Sequence, residues 1–395
     1  MPTLSSRITS LNAGGGDGWE IFYKARALVA SGQPVTELTI GEPDTKTDPA
    51  ILAEMHRAAS AGHTGYAVVP GTPALRDAIA ARVTERSGVP TTRANVLVTP
   101  GGQSALFAAH MAACTPGGAA LMVEPHYVTY PGTIRAAGAV PHSVQTRPER
   151  SFFPDPADLR RSAVASGASS LLINTPNNPT GAVYPRETLN GIADVAQEQD
   201  LWVISDEVYD TQIWDGAHLS PRALPGMAER TMVIGSLSKS HAMTGSRIGW
   251  LIAPEAAIAA LIDLATNTTY GVPGYIQDAA LYALTADATL EPRVAEPFRR
   301  RRALAQGILA AQNIVGLVPS GGAMYLFLDV RATGLSGIAF ADALLDAHRI
   351  AVMPGESFGP SAAGFIRVAL TLPDAQFSEA LSTLAGFAAG LAKAA

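Results

Sequence analysis

Thiols are almost missing from this 395-residue chain, in which Cys114 is the only cysteine. One thiol closes no intramolecular disulfide and builds no cysteine-rich metal site, so a reducing compartment is the expected home. Charge is scarce too. Asp, Glu, Lys and Arg make up 16% of the residues, and 28 Lys+Arg face 34 Asp+Glu for a net charge of −6. With no basic excess to neutralise phosphates, nucleic acid is not expected as an obligatory partner. Long apolar runs are absent as well. The opening residues MPTLSSRITSLNAGGGDG lack the apolar stretch of a secretory leader. Leu251–Asp263 is broken by Pro254 and Glu255, well short of the roughly 20 residues that span a bilayer. A soluble, cytoplasmic protein without membrane contact is expected. His63, His126, His142 and His241 show no metal-ligand spacing, so no metal site is expected.

What is abundant is core-forming material. Hydrophobic residues make up 47% of the chain, enough to exclude disorder. The length exceeds the roughly 100–200 residues of one domain, so two are expected. Gly14, Gly15, Gly16 and Gly18 read as a flexible lead-in before a helix over Trp19–Ser31. Short apolar runs then alternate with helical patterns: NVLVT at 95–99, AALMVE at 119–124, SLLIN at 170–174, LWVISD at 201–206, TMVIG at 231–235 and GWLIA at 249–253. Such runs predict a sheet buried on both faces, mostly parallel, inside an α/β domain. Near Glu291-Pro292 the pattern changes to a smaller α+β unit, with strands over Gly321–Val330, Ile350–Met353 and Phe365–Leu370. The division expected is 48–290 for a large domain, and 1–47 with 291–395 for a small one. Arg299–Arg302, four arginines on one turn, read as a solvated helix face.

Ligands of open α/β sheets bind beyond the carboxyl ends of the strands. Each end here carries polar chemistry: Pro100-Gly101-Gly102-Gln103-Ser104, Pro125-His126-Tyr127, the stretch Thr175–Gly181, Asp206-Glu207-Val208-Tyr209, and Ser236-Leu237-Ser238-Lys239. The glycine loop at a helix start offers N–H donors to an anion such as phosphate. Ser236, Ser238 and Arg247 could add donors to the same anion. Asp206, at a buried strand end, needs a cationic partner, and Tyr209 could reach a second polar atom. Lys239 follows an apolar strand, where desolvation depresses an amine's pKa as a Schiff-base lysine requires. Phosphate, cationic ring nitrogen and aldehyde together specify pyridoxal 5′-phosphate.

The stretch SLSKSHAMTGSRIG at 236–249 resembles the lysine signature of class I/II aminotransferases of pyridoxal-phosphate fold type I. NTPNNPTG at 174–181 and SDEVY at 205–209 resemble two further signatures of that family. Tyr66–Gly71 with Leu75–Ile79, Ile40–Asp44, and Phe365–Val368 are similar to three more of its segments. The resemblance implies a large domain with a mostly parallel, mixed sheet flanked by helices, plus a smaller α+β domain. It implies an enzyme moving an amino group between an L-amino acid and a 2-oxo acid by a ping-pong mechanism. Lys239 would be Schiff base and proton shuttle, Asp206 would pair with the ring nitrogen, and Asn178 and Tyr209 would bond the ring oxygen. Tyr127 would stack on the ring, and Gly102, Gln103, Ser236, Ser238 and Arg247 would hold the phosphate. Tyr66 would reach the phosphate of a neighbouring subunit, which implies a homodimer with shared sites. Arg367 would grip the substrate carboxylate, with Gly41 and Asn178 nearby.

Two other functions compete. A cystathionine-type C–S lyase shares the cofactor and lysine and differs in releasing ammonia. A ligand-sensing regulatory domain would need a DNA-binding module, and the negative net charge weighs against it. No second basic residue matches a distal-carboxylate site, so a dicarboxylic substrate is not expected.

Overall fold

The computed structural model describes residues 2–13 and 18–394. The glycines Gly14–Gly16 lie outside the described residues.

A short strand β1 (Thr36–Glu37) precedes the main sheet. That sheet is built from β2 (Val96–Thr99), β3 (Ala119–Glu124), β4 (Val140–Gln145), β5 (Ser170–Asn174), β6 (Trp202–Asp206), β7 (Thr231–Ser236) and β8 (Gly249–Ile252), in the order β2-β8-β7-β6-β5-β3-β4. β8 runs antiparallel to both its neighbours, and the other pairings are parallel. The expected mostly parallel sheet is present. β2, β3, β5 and β7 are buried at every residue, as continuous apolar runs predict for a sheet covered on both faces. Each Leu or Ile so buried contributes roughly 1.5–3 kcal/mol. One face carries the helices Gly102–Ala113 and Glu255–Thr266, whose Ala105, Leu106, Ile258 and Leu261 pack with Leu97, Leu172, Ile204 and Ile234. On the other face Leu189, Ile192 and Val195 of the helix Arg186–Glu198 pack on Leu121, Leu171 and Val203.

A second sheet holds β9 (Gly316–Leu317), β10 (Tyr325–Asp329), β12 (Met353–Pro354) and β13 (Phe365–Ala369) in the order β12-β13-β10-β9, all antiparallel. Between them β11 (Ile350–Ala351) pairs in parallel with β1. The single strand expected at Ile350–Met353 is thus two, serving different sheets. The helices Leu290–Ala310, Gly337–His348 and Asp374–Ala394 cover this part around Phe298, Phe340, Leu344, Phe377 and Leu381. Among the described residues, no helix is long and apolar enough to cross a membrane.

The arginine run departs from its sequence reading. Arg301 is 3% exposed. Its Nη1 and Nη2 donate to the two Asp44 carboxylate oxygens at 2.8 and 2.7 Å. Its Nε donates to Asp374 at 2.9 Å, and Nη1 also reaches the Leu370 carbonyl at 2.8 Å. A charge patch on one turn spreads around the helix, and the inward member finds acids from two distant segments. Arg301 therefore ties segment 39–44 to the helices Leu290–Ala310 and Asp374–Ala394. Removing one partner of such a pair strands the others. Arg301→Met is expected to cost about 3 kcal/mol in urea unfolding. The double variant with Asp44→Asn should cost less than the sum of the two single changes; strict additivity would count against the coupling.

Candidate active site

The carboxyl ends of β2, β5, β6 and β7 open on one side of the sheet, and a cavity of about 340 Å³ lies there, its lining completed by Gly41, Tyr325 and Arg367. Sequence-singled residues Gly41, Gly102, Gln103, Tyr127, Asn178, Asp206, Tyr209, Ser236, Ser238, Lys239, Arg247 and Arg367 all line it. Tyr66 does not. It is 92% exposed, with its ring 5.2 Å from that of Tyr270.

Asp206 ends β6 beside its register partner Asn174. Its carboxylate accepts from Tyr130 Oη at 2.7 Å and from the Val208 N–H at 3.3 Å. Burial raises its pKa from 3.8 to about 6, against the opposing pull of those two donors. It has no ionic partner among the described residues. The Asn174 side chain donates to the Asp206 carbonyl at 2.9 Å and accepts the Asn178 N–H at 2.7 Å, which locks two strand-end loops together.

Lys239 follows β7 on a single helical turn, Leu237–Ser240. Its Nζ donates to the Gly41 carbonyl. Burial lowers its pKa from 10.5 to about 8; Glu42 opposes that shift, while Arg367 and Arg247 add to it. Compared with a free lysine, roughly 300 times more of the amine is neutral near pH 7.

Arg367, on β13, is 1% exposed and has no carboxylate partner among the described residues. Nη1 donates to Asn178 Oδ1 at 2.8 Å, Nη2 donates to the Thr39 carbonyl, and Nε is buried without a partner. Its guanidinium lies 4.5 Å from the Tyr325 ring centre and 4.9 Å from that of Phe358. Tyr325 Oη meets Tyr209 Oη at 2.9 Å. It also sets the space at Gly41, where an added Cβ would stand 1.8 Å from that oxygen. The Tyr127 ring stands edge-on to Tyr130 at 5.7 Å, and burial pushes its hydroxyl up to about 12.

An anion cradle occupies the other end. Gly101 adopts φ +78° just before the helix Gly102–Ala113, and a Cβ there would meet Arg247 Nη2 at 2.3 Å. Arg247 itself is in the left-handed region at φ 51° and donates to the Thr244 carbonyl at 2.9 Å. The Ser236 hydroxyl donates to Ile248 O at 3.1 Å and accepts the Ser238 N–H at the same distance. The Gln103 side chain faces away, donating to Thr133 Oγ1 at 2.5 Å and accepting from Thr129 at 3.3 Å. Only its backbone faces the helix start.

Sequence reasoning missed Tyr130 and Tyr325. Tyr130 stands three residues after Tyr127, one helical turn away, and that spacing was its available signal. Tyr325 shares one face of the antiparallel β10–β13 pair with Arg367, a diagonal contact invisible until the register is known.

The donor set fits pyridoxal 5′-phosphate. A buried acid lacks a cation, a buried guanidinium lacks a carboxylate, an amine of depressed pKa shares their cavity, and a glycine-lined helix start with an arginine offers donors to an anion.

Comparison with known proteins supports this reading. The sequence profile of the family described as aminotransferase class I and II matches residues 33–384. An arginine–pyruvate transaminase of Pseudomonas aeruginosa is 43% identical over 95% of this chain and 96% of its own. A probable aspartate/prephenate aminotransferase of Thermus aquaticus is 35% identical over 98% and 99%. A solved aspartate aminotransferase double mutant of Thermus thermophilus, 34% identical, superimposes with a TM-score of 0.91 over 98% of this chain and all of its own.

Without a cation beside it, the Asp206 charge destabilises the cofactor-free protein. A native pKa of about 6 against 3.8 unfolded is a difference of roughly 2 units, or roughly 3 kcal/mol at pH 8. The native state holds the proton more tightly, so this penalty is full above pH 6 and fades as pH falls toward 3.8. Asp206→Asn should therefore stabilise the cofactor-free protein by roughly 3 kcal/mol at pH 8 and by less than about 1 kcal/mol at pH 4, read by urea unfolding. An equal gain at both pH values would show that desolvation is not the cause.

Proposed function

The chain belongs to the class I and II aminotransferases, and on that premise we propose that it transfers an amino group between an L-amino acid and a 2-oxo acid, using pyridoxal 5′-phosphate in the cavity described above. The observation that carries the proposal is the meeting of Lys239, Asp206 and Arg367 in one cavity, none of them ion-paired among the described residues. A C–S lyase finds no support among the matched relatives, which are named as transaminases.

When bound, the cofactor's aldehyde accepts the amino group, and its protonated ring withdraws electrons from the carbon that loses a proton. The protein's own groups prepare that exchange. Asp206, kept in place by Tyr130, would pair with the ring nitrogen and favour its protonated form. Tyr209 and Asn178 would supply hydrogen bonds to the ring oxygen, and Tyr127 would offer an aromatic surface to the ring. The backbone at Gly102 and Gln103, with Ser236, Ser238 and Arg247, binds the phosphate. Lys239, shifted to about 8, would be the amine that holds the cofactor through its aldehyde, and its low pKa suits it to carry a proton as general base and acid. Arg367 binds the substrate carboxylate with Asn178 and Gly41 beside it, and the unpartnered Nε is the donor that a carboxylate would satisfy.

The exposed Tyr66 is assigned to the phosphate of a second copy, which makes a homodimer with shared sites part of the proposal. So are a cytoplasmic setting and a division into 48–290 and 1–47 with 291–395.

Borohydride treatment of the cofactor-loaded protein should fix a pyridoxyl group on Lys239, found by peptide mass analysis. Lys239→Ala should lose both the label and turnover while keeping its circular dichroism. A label elsewhere, or none, would overturn the assignment. Arg367→Ala should raise KM for every amino acid tested by roughly 30- to 1000-fold, equivalent to 2–4 kcal/mol, with a smaller change in kcat.

A further inference from the structure

Tyr209 can serve the cofactor's ring oxygen only if its single hydroxyl proton points into the cavity. Among the described residues its Oη has one hydrogen-bond partner, Tyr325 Oη at 2.9 Å. Tyr325 is 2% exposed, packs on Gly41 and has the Arg367 guanidinium 4.5 Å from its ring centre. Both tyrosines line the cavity. Burial raises the pKa of both phenols, and Arg367, Asp206 and Tyr127 are the other charged and titratable groups acting on the pair. Each phenol therefore keeps its proton through neutral pH. Two protons have to be placed along one short line of oxygens.

The neighbours settle which way those protons run. Arg367 Nη1 can only donate, and it holds Asn178 Oδ1 at 2.8 Å, which leaves the amide nitrogen as the free end of that side chain. The Asn178 N–H is tied to Asn174 Oδ1 at 2.7 Å, so the residue is held from behind as well. Asn178 Nδ2 donates to Tyr325 Oη at 3.5 Å, a long bond that places a donor on that side of the hydroxyl. An amide nitrogen accepts nothing, so the Tyr325 proton turns to Tyr209 Oη. An ionised ring oxygen likewise only accepts. Facing it, Tyr209 directs its own proton into the cavity and takes the Tyr325 proton from behind. Every link from Arg367 to Tyr209 then donates in one direction, and hydrogen bonds in such a chain strengthen one another.

Building on the transferase reading, we propose that Tyr325 is a positioning residue for this reaction: by donating to Tyr209, it aims and strengthens the hydroxyl that meets the ring oxygen. The ring of Tyr325 serves the packing on Arg367, and the hydroxyl serves this relay.

The test is the pH midpoint at which the visible absorbance of the cofactor-loaded protein changes, as its chromophore loses a proton. A donor on the ring oxygen favours the proton-free form, so a weaker donor moves the midpoint up. Tyr325→Phe, which keeps the ring beside Arg367, should raise the midpoint by about 0.5–1 unit, and Tyr209→Phe should raise it further. Added to Tyr209→Phe, Tyr325→Phe should contribute less than about 0.2 unit, because it acts through the hydroxyl already removed. 3-Fluorotyrosine in place of Tyr325, a stronger donor of nearly the same size, should lower the midpoint, and it carries the test should Tyr325→Phe fail to fold. No shift, or a downward one, in Tyr325→Phe would overturn the proposal. So would a full Tyr325→Phe shift that persists in the Tyr209→Phe background, the mark of direct contact with the cofactor or of a general disturbance. An unmoved midpoint in Tyr209→Phe would remove the Tyr209 assignment and this proposal together. Protein that takes up pyridoxal 5′-phosphate with no visible band would strike the transferase reading itself, and this proposal with it.

Discussion

The site depends on charges that the protein buries and then declines to pair. Asp206 and Arg367 lie in one cavity, and either could have neutralised the other had their side chains met. The fold keeps them apart. Asp206 is held down on the sheet by Tyr130 and the Val208 N–H. Arg367 is held above it by Asn178, the Thr39 carbonyl and two aromatic rings. Each set of partners is neutral. Neutral dipoles orient a charge without cancelling it, so the full attraction remains for a ligand that carries the opposite charges at the matching spacing. The unfavourable native-state energy of Asp206 is the same quantity seen from the other side.

Much of this was legible in the chain because strand ends have a compact signature. SLLIN, LWVISD and TMVIG are apolar until the last residue or two, and a buried sheet brings those last residues to one edge. Asp206 follows from that rule, and Lys239 stands four residues beyond TMVIG, whereas the role of Asn178 was implied only by the family resemblance. β4 did not follow from the rule, since VPHSVQ lies at the sheet edge and is mostly exposed, leaving no apolar run to read. Tyr325 and Arg301 escaped for a different reason. Their roles come from side chains that meet across more than a hundred residues of sequence, Tyr325 with Tyr209 and Arg301 with Asp44. Local pattern carries no information about such pairs. A tyrosine at the start of a strand and an arginine in a basic turn look ordinary until their register is known.

Segment 39–44 shows why those unseen contacts matter. It has little regular structure of its own, yet its Gly41 carbonyl must meet the Lys239 amine. Two arginines position it. Arg367 takes the Thr39 carbonyl at one end, and Arg301 grips Asp44 with both terminal nitrogens at the other. Between them Tyr325 packs so closely on Gly41 that no side chain fits. A short irregular stretch held at both ends and pressed in the middle loses most of its freedom before any ligand arrives, which is how a loop can serve as a precise wall.

This arrangement links substrate to scaffold. Arg367 is proposed to grip the α-carboxylate while its other nitrogen holds segment 39–44, so binding at one face of the guanidinium is transmitted to the other. The same segment presents Gly41, whose carbonyl receives the Lys239 amine, so the carboxylate-binding arginine and the amine both rest on one piece of backbone.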